Sequence, residues 1–184
     1  MGLSRIRALA LELIGRDAVV DDPAGLRTYA CDGLAGWRTT PALVVLPTTT
    51  EHVAAVVGAC AADAVPFVAR GSGTGLSGGA LPHAEGVLIV TSRMRRVLEV
   101  DPVNRLAVLE PGVTNAEVSK AAAPYGLYYA PDPSSQVVCS IGGNVAENSG
   151  GAHCLKYGFT ANHVLEAEVV LAGGELVRLG EDDT

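Results

Sequence analysis

Basic residues are in short supply in this sequence. Thirteen Lys and Arg stand against twenty Asp and Glu in 184 residues, which gives a formal net charge of −7. An acidic chain offers no broad basic face to the phosphates of nucleic acids or to anionic lipid headgroups. We therefore expect no nucleic acid partner and no direct insertion into a membrane.

Long apolar runs are missing as well. Ala, Val and Leu are frequent, but they fall in short runs, none near the roughly 20 residues that span a bilayer. The stretch before Gly15 is interrupted by Glu12 and lacks the small-residue cleavage site of a secretory signal. Both absences favour a cytoplasmic protein.

Cysteines are few and are never paired in the sequence. Cys31, Cys60, Cys139 and Cys154 stand singly, without the C-x₂-C spacing that is typical of zinc and iron–sulfur sites. Reduced thiols in the cytoplasm are the default interpretation of such a pattern.

Glycine, by contrast, is abundant and unevenly placed. Of 22 glycines, dense clusters lie within residues 71–79 and 142–151. Packing alone does not predict such clustering, so we look for function in these two segments.

The residues before the first cluster predict a β-α-β unit. Residues 42–46 are a short apolar run between two prolines, Thr48 and Glu51 have the spacing of a helix capping box, and residues 66–69 are a second strand. An amphipathic helix over residues 3–13 precedes this unit.

Further elements follow the first cluster. In chain order we expect a strand at 86–91, a hairpin of 97–100 with 106–109, a helix capped by Thr114 and Glu117 and ended by Gly126, a strand at 127–130, and a hairpin of 164–171 with 176–179.

These elements define the expected organisation. Residues 1–40 are an N-terminal helical segment, and residues 41–184 form an α+β domain of two subdomains, about 41–92 and about 93–184. Each subdomain carries one glycine cluster, and a shared ligand would explain both.

The first cluster favours phosphate binding. Glycine permits the close approach by which several backbone N–H groups converge on one anion, and the loop follows a strand directly. Residues 73–78 match the dinucleotide pattern G-x-G-x-x-G, but only residues 79–85, with Pro82, precede the next strand. A Rossmann unit requires a helix there, so a nicotinamide site is the less favoured alternative. A Walker A loop is excluded, because Gly79 stands where its lysine is required. A merely flexible surface loop is the remaining alternative.

The second cluster is also suited to binding a ligand. Residues 131–136 are stiff and polar, and Ser140 is placed to cap a short helix whose free amides face a phosphate or the polar edge of a ring. Asn144 and Asn148 are candidate side-chain partners. A loop stabilised only by Asn and Ser turns is the alternative.

Four ordered motifs now give the sequence a family resemblance: RGSGTGLSGGA, APDPSSQ, SIGGNVAENSGG and CLKYG. From about Tyr29 onward the chain resembles the vanillyl-alcohol-oxidase, or PCMH, type of FAD-binding fold. Within that superfamily it is similar to the FAD-binding subunits of bacterial glycolate oxidases, with D-lactate and D-2-hydroxyglutarate dehydrogenases as near relatives.

The resemblance implies the PCMH-type fold of two α/β subdomains, truncated at its C-terminal end, and FAD as the cofactor. Family members with covalently attached flavin have a histidine where this chain has Thr74, so the FAD is expected to be bound non-covalently.

The resemblance also implies which residues contact the FAD. The first loop would hold the diphosphate, and the second would line the flavin and ribityl side. The implied contacts are Arg70, Gly71, Ser72, Gly73, Thr74, Gly75, Leu76, Pro131, Asp132, Pro133, Ser134, Ser140, Gly142, Gly143, Asn144, Asn148, Gly151, Tyr157 and Gly158.

The implied chemistry is hydride transfer from C2 of a small 2-hydroxy acid, glycolate or D-lactate, to flavin N5. The base and the carboxylate-binding group lie in a C-terminal domain in this family. We therefore expect the chain to be part of a longer protein and inactive alone, and we assign no catalytic residue. His153 and His163 flank the second loop, but neither is assigned as a base.

An iron–sulfur electron-transfer subunit is the implied protein partner. Such a partner would make the protein peripheral to the inner membrane. A nucleotide-binding fragment without catalysis is the remaining alternative.

Overall fold

The computed structural model describes residues 2–180. The helices are α1 (Gly2–Leu13), α2 (Pro23–Thr28), α3 (Thr50–Ala62), α4 (Asn115–Ala122), α5 (Ile141–Glu147) and α6 (Cys154–Tyr157). The strands are β1 (Val19–Val20), β2 (Leu43–Val45), β3 (Phe67–Arg70), β4 (Val87–Val90), β5 (Val97–Asp101), β6 (Leu106–Leu109), β7 (Glu166–Val170) and β8 (Leu176–Gly180). This mixture confirms the α+β class.

The chain separates into two compact units. Within the described residues, the first unit contains residues 2–70, Gly75–Thr91 and residues 165–180, and the second contains Gly71–Thr74 and Ser92–Val164. The β7–β8 hairpin thus belongs to the first unit. The domain and subdomain bounds given above stay a prediction.

A four-stranded sheet is the framework of the first unit. Its strand order is β1-β2-β4-β3, in which β2 and β3 run parallel to β4 and β1 runs antiparallel to β2. Every residue of β2 and β4 is buried, as is typical of parallel strands covered on both faces. The predicted β-α-β unit is confirmed. Residues 71–86 contain turns and bends but no helix, so the segment after β3 is not that of a Rossmann unit.

Helices α1 and α3 contribute to the apolar core of this unit. Ile6 and Ala10 of α1 and Val56 and Cys60 of α3 are fully buried in one cluster with residues of β2 and β4. Burial raises the pKa of the Cys60 thiol to about 11, so this thiol stays protonated at neutral pH.

The cap of α3 lies one residue later than predicted. Thr49 precedes the helix, and its hydroxyl accepts a hydrogen bond from the His52 N–H at 3.3 Å. The Thr48 hydroxyl lies instead 3.2 Å from His52 Nδ1. The predicted capping box of Thr48 and Glu51 is therefore wrong, because three consecutive threonines offer alternative starts and the path of the chain selects one.

In the second unit, α4 begins as predicted. The Thr114 Oγ1 accepts from the Glu117 N–H at 3.3 Å, and the Glu117 carboxylate accepts from the Thr114 N–H at 2.8 Å, which confirms this capping box. Gly126 has a left-handed φ of 71° after the short turn that follows α4. The predicted hairpins β5–β6 and β7–β8 are also confirmed, each within its own unit.

Residues 127–130 are not a strand, contrary to the prediction. The Tyr129 N–H donates to Ser119 Oγ on α4 at 3.1 Å. A side chain thus accepts the hydrogen bond that a neighbouring strand would otherwise take. Strand β1 and helix α2, in turn, were not predicted, because two and six residues are too short to show a periodicity.

Among the described residues, no helix is both long enough and apolar enough to span a lipid bilayer.

We expect Leu88→Ala in β4 to lower the free energy of unfolding by about 2 to 5 kcal/mol, because it leaves a cavity around a fully buried side chain. Leu98→Ala in β5 is the matched control, since Leu98 is 54% exposed, and its effect should stay within about 0.5 kcal/mol. Denaturant unfolding followed by circular dichroism measures both. Equal losses for the two variants would contradict the assignment of β4 to the core.

Candidate functional site

The start of the first glycine loop lies against the second glycine cluster. A Cβ placed on Gly71 would overlap the Ser140 Oγ and would lie 3.6 Å from the Gly143 nitrogen. Gly71 is therefore the residue that allows these two segments of the second unit to meet. The structure brings together three of the residues that the sequence predicted.

Ser140 carries the clearest sign of a ligand in this region. It is only 2% exposed, and its Oγ is buried without a hydrogen-bond partner among residues 2–180. Ser140 precedes α5, as predicted, but its side chain caps no helix amide. An unpaired buried hydroxyl costs about 1 to 3 kcal/mol, and a ligand atom that bonds it would remove this cost.

The first turn of α5 adds a backbone donor. The Ile141 N–H donates to the Val113 carbonyl at 2.8 Å, the Gly142 N–H to the Pro111 carbonyl at 2.8 Å, and the Asn144 N–H to the Ser140 carbonyl at 2.9 Å. In the described part of the chain, the Gly143 amide has no such acceptor. A Cβ on Gly143 would lie 3.3 Å from the Ser140 Oγ, so the amide and the hydroxyl are neighbours.

A cavity of about 270 Å³ adjoins the first loop in the second unit. Its lining combines hydroxyls, one guanidinium and two valines: Ser72, Ser92, Arg95, Gly112, Thr114, Val137 and Val138. Arg95 also bonds the Glu117 carboxylate at 2.7 Å, and its side chain is 53% exposed. Hydroxyls and a guanidinium are groups that bind phosphate oxygens.

A second cavity, of about 260 Å³, adjoins the loop at residues 131–136. Its lining is rich in tyrosine: Ser119, Tyr128, Tyr129, Ala130, Asp132, Gln136, His153 and Tyr157. This lining includes Asp132 and Tyr157, two of the predicted contacts. Tyr128 and His153 also line it, although neither was predicted to contact the cofactor.

Asp132 and His153 form a hydrogen-bonded pair at this cavity. The His153 Nδ1 lies 2.5 Å from one oxygen of the Asp132 carboxylate, and the His153 N–H donates to the other at 3.2 Å. These hydrogen bonds hold the pKa of the Asp132 carboxyl below its ordinary value. A Cβ on Gly151 would overlap Asp132, so Gly151 is required for this close approach.

Tyr157 is the centre of a group of polar rings. The Tyr128 hydroxyl donates to the Tyr157 hydroxyl at 3.2 Å, and the Lys156 Nζ lies 4.8 Å from the centroid of the Tyr157 ring. The hydrogen bonds from Tyr128 and Lys156 lower the pKa of the Tyr157 phenol. The His163 Nε2 lies 2.8 Å from the Tyr157 carbonyl oxygen.

The asparagines of the second cluster are bonded within the protein. The Asn144 side chain is 2% exposed and donates to the Asn115 Oδ1 at 3.0 Å. The Asn148 Oδ1 accepts from the Ala161 N–H at 2.9 Å. Asn115 was missed by the sequence analysis. The capping box at Thr114 fixed its place at the helix start, but no local pattern indicates a buried carboxamide.

The other predicted contacts divide between the two units. In the second unit, Pro131 and Pro133 are buried, Ser134 is exposed, Gly142 packs against Pro111, and Gly158 has a φ of 83° beside Asn162. Gly73, with a φ of 70°, and Thr74 also belong to this unit. Arg70, Gly75 and Leu76 belong to the first unit.

Arg70 ties together loops of the first unit. Its guanidinium donates to the carbonyls of Cys31 at 2.8 Å and of Ala80 at 3.4 Å. Burial lowers its pKa, and the nearby Asp32 carboxylate opposes that shift. These bonds give Arg70 a structural role in the first unit.

No group of three or more His, Cys, Asp or Glu side chains within the described chain is arranged to hold a metal ion.

The Asp132–His153 pair predicts a pH-dependent stability. The folded-state pKa of Asp132 lies below its unfolded value, so its stabilising contribution is present above about pH 4 and is lost as the pH falls through the folded value. Asp132→Asn should therefore have a lower melting temperature than the wild type at pH about 5 to 6. This difference in melting temperature should shrink as the pH falls below about 4.

Melting curves of Asp132→Asn, His153→Gln and the double variant measure this effect. Because both single changes break the same pair, the double variant should lose less thermal stability than the sum of the losses of the two single variants. Additive losses, or a difference that persists unchanged at acid pH, would show that the pair makes no contribution.

The sequence matches the family described as FAD binding domain over residues 41–180. The glycolate oxidase subunit GlcD of Escherichia coli K12 is 56% identical over 154 residues, which are 84% of this chain and 31% of that protein. GlcD of Bacillus subtilis 168 is 37% identical, over 95% of this chain and 37% of its own length. A D-lactate dehydrogenase of Archaeoglobus fulgidus is 41% identical, over 75% of this chain and 31% of its own length. The chain thus spans about a third of the length of these relatives.

Solved structures share the fold. An alkyldihydroxyacetonephosphate synthase superposes with a TM-score of 0.85 at 24% identity, over 95% of this chain and 36% of that one. A p-cresol methylhydroxylase superposes with a TM-score of 0.83 at 24% identity, over 96% of this chain and 35% of that one. The chain therefore belongs to the FAD-binding domain family, with the PCMH-type fold that its motifs predict and with FAD as its cofactor.

Proposed function

We propose that this chain supplies the FAD-binding part of an enzyme that oxidises a small 2-hydroxy acid, glycolate or D-lactate, to the 2-oxo acid. FAD supplies the hydride acceptor in this chemistry. The relatives named above as glycolate oxidase subunits and a D-lactate dehydrogenase support this substrate class.

The observation that carries the proposal is the meeting of Gly71, Ser140 and Gly143. A backbone that approaches without a side chain, an unpaired buried hydroxyl and an unpaired amide form a small donor set. Donors of this kind suit the oxygens of a diphosphate. The cofactor diphosphate would therefore lie along Gly71–Thr74, with the hydroxyls and the guanidinium of the adjoining cavity next to it.

The remaining assignments extend from that point. The full set proposed to contact FAD is Arg70, Gly71, Ser72, Gly73, Thr74, Gly75, Leu76, Pro131, Asp132, Pro133, Ser134, Ser140, Gly142, Gly143, Asn144, Asn148, Gly151, Tyr157 and Gly158. Asp132 and Tyr157 line the tyrosine-rich cavity and would face the flavin side. Arg70, Asn144 and Asn148 would contact FAD through their main chain, since their side chains are bonded to other protein groups.

An electron-transfer partner is the proposed destination of the electrons. Two relatives are named as subunits, which supports an assembly of several chains. We propose an iron–sulfur subunit in this assembly, as the family resemblance implies; the single cysteines of this chain do not themselves have cluster spacing. The location would be the cytoplasm, peripheral to the inner membrane through such partners.

The chain should bind FAD without a covalent bond, because Thr74 replaces the histidine to which flavin is attached in some family members. The chain mixed with FAD should be yellow after gel filtration, and acid precipitation should release all of the flavin into the supernatant. Flavin that stays in the acid pellet would contradict non-covalent binding. A colourless protein that NADH protects against thermal unfolding would favour the nicotinamide alternative.

The substrate class is tested with the protein expressed from its full gene. Anaerobic addition of glycolate or D-lactate should bleach the visible band of the bound flavin. Flavin that no small 2-hydroxy acid reduces would overturn the assignment, even where FAD binding is retained. The present chain alone should bind FAD weakly and give no turnover.

Gly71→Ala should weaken FAD binding by about 10-fold to 100-fold, because the added methyl group separates the loop from Ser140 and removes at least one charge-assisted hydrogen bond. Gly36→Ala is the matched control, since a Cβ there meets no atom within 4 Å. Flavin fluorescence titration gives both dissociation constants. If Gly71→Ala and Gly36→Ala bind FAD with equal affinity, the proposal that Gly71, Ser140 and Gly143 hold the diphosphate is wrong.

A further inference from the structure

Asn115 is the first residue of α4, and it is fully buried. Its side-chain amide donates to the Pro131 carbonyl at 2.9 Å, and its Oδ1 accepts from the Asn144 side chain at 3.0 Å. Its main-chain N–H donates to the Cys139 carbonyl at 3.1 Å. One residue thus bonds two other segments of the second unit, the segment at Pro131 and the segment of residues 139–144.

These two segments are the ones proposed above to line the FAD. Pro131 begins the loop at residues 131–136, Cys139 precedes Ser140, and Asn144 lies within α5. Neighbouring backbone bonds follow the same pattern, since the Ala116 N–H donates to the Gln136 carbonyl at 2.9 Å and Thr114 forms an antiparallel bridge with Ser140. The start of α4 is therefore the point from which both FAD-lining segments are held.

The chemistry of the Asn115 side chain explains why it occupies this position. A carboxamide has a donor and an acceptor on one short, planar group, so it can bond Pro131 and Asn144 at the same time. A leucine of similar size would leave the Pro131 carbonyl and the Asn144 amide unpaired. An ionised aspartate would still accept from Asn144 but would repel the Pro131 carbonyl.

We propose that Asn115 is a positioning residue for the FAD site. Its carboxamide fixes the spacing between the Pro131–Asp132 backbone and the Ser140–Gly143 backbone without touching the cofactor. The inference rests on the proposed function, because it concerns the affinity of those two segments for FAD.

Asn115→Ala removes both side-chain bonds. Amide hydrogen exchange of the FAD-free chain should become faster in peptides from residues 131–148 and should stay unchanged in the β5–β6 hairpin. The dissociation constant for FAD should rise about tenfold or more, the size of effect seen when a group that orients ligand-holding residues is removed. Asn104→Ala is the matched control, since Asn104 bonds only Asp101 in an exposed turn of the same unit.

Asn115→Asp separates positioning from general loss of stability. Its buried carboxyl should have a raised pKa, and once protonated it can again donate to Pro131 and accept from Asn144. FAD affinity of this variant should approach that of the wild type at pH about 5 and fall toward that of Asn115→Ala at pH about 8. Hydrogen bonds hold the pKa values of the Glu117 and Asp132 carboxyls below their ordinary range, so both stay ionised between about pH 5 and 8. The wild-type and alanine curves at each pH correct for the remaining titratable groups.

The outcomes separate this inference from the proposed function. If the wild type binds FAD and Asn115→Ala binds it equally well, or shows unchanged exchange at residues 131–148, the positioning role is wrong and the FAD site stands. If the affinity of Asn115→Asp does not recover at acid pH, the hydrogen-bonding explanation is wrong. If the wild type binds no FAD, both proposals fail.

Discussion

The backbone at Gly71 passes so close to the Ser140 hydroxyl that a Cβ at position 71 would overlap it unless the hydroxyl moved. The rest of the candidate site depends on this approach. It places a short stretch of the first glycine loop in the same compact unit as the second glycine cluster. It also leaves a buried hydroxyl next to an unbonded amide. Protein interiors rarely leave such groups unpaired, so the arrangement is best understood as one that a ligand completes.

Rigidity around this point comes from two different sources. In the first unit, β3 ends at Arg70 in a parallel sheet whose inner strands are wholly buried, so the loop leaves from a fixed strand. In the second unit, α4 is short, and the capping box and the Asn115 carboxamide connect it to the neighbouring loops. Apolar burial therefore anchors one end of the glycine loop, and polar bonds organise the segments that its first residues contact.

Sequence reasoning succeeded where the signal was local. The apolar runs of β2 and β4, the Thr114–Glu117 capping box and the left-handed Gly126 each depend on a few adjacent residues, and each was predicted. The start of α3 was misplaced because neighbouring threonines are equivalent until the chain path selects one. Residues 127–130 were misassigned because Ser119, ten positions from Tyr129, accepts the bond that would have made a strand. The Asn115 contacts span 16 and 29 positions, and no short-range pattern records such pairings. The motifs indicated which segments we propose to meet the cofactor, but not which side chains are already hydrogen-bonded within the protein.

Each compact unit also encloses one cysteine. Cys60 lies in the core of the first unit with a thiol that burial keeps protonated, and Cys139 is buried in the second unit next to the Asn115 contact. A thiol-specific reagent reaches either sulfur only when the surrounding unit opens. The alkylation rates of Cys60 and Cys139 therefore report separately on the opening of the first and the second unit. A cofactor held mainly by the second unit would slow alkylation of Cys139 more than alkylation of Cys60.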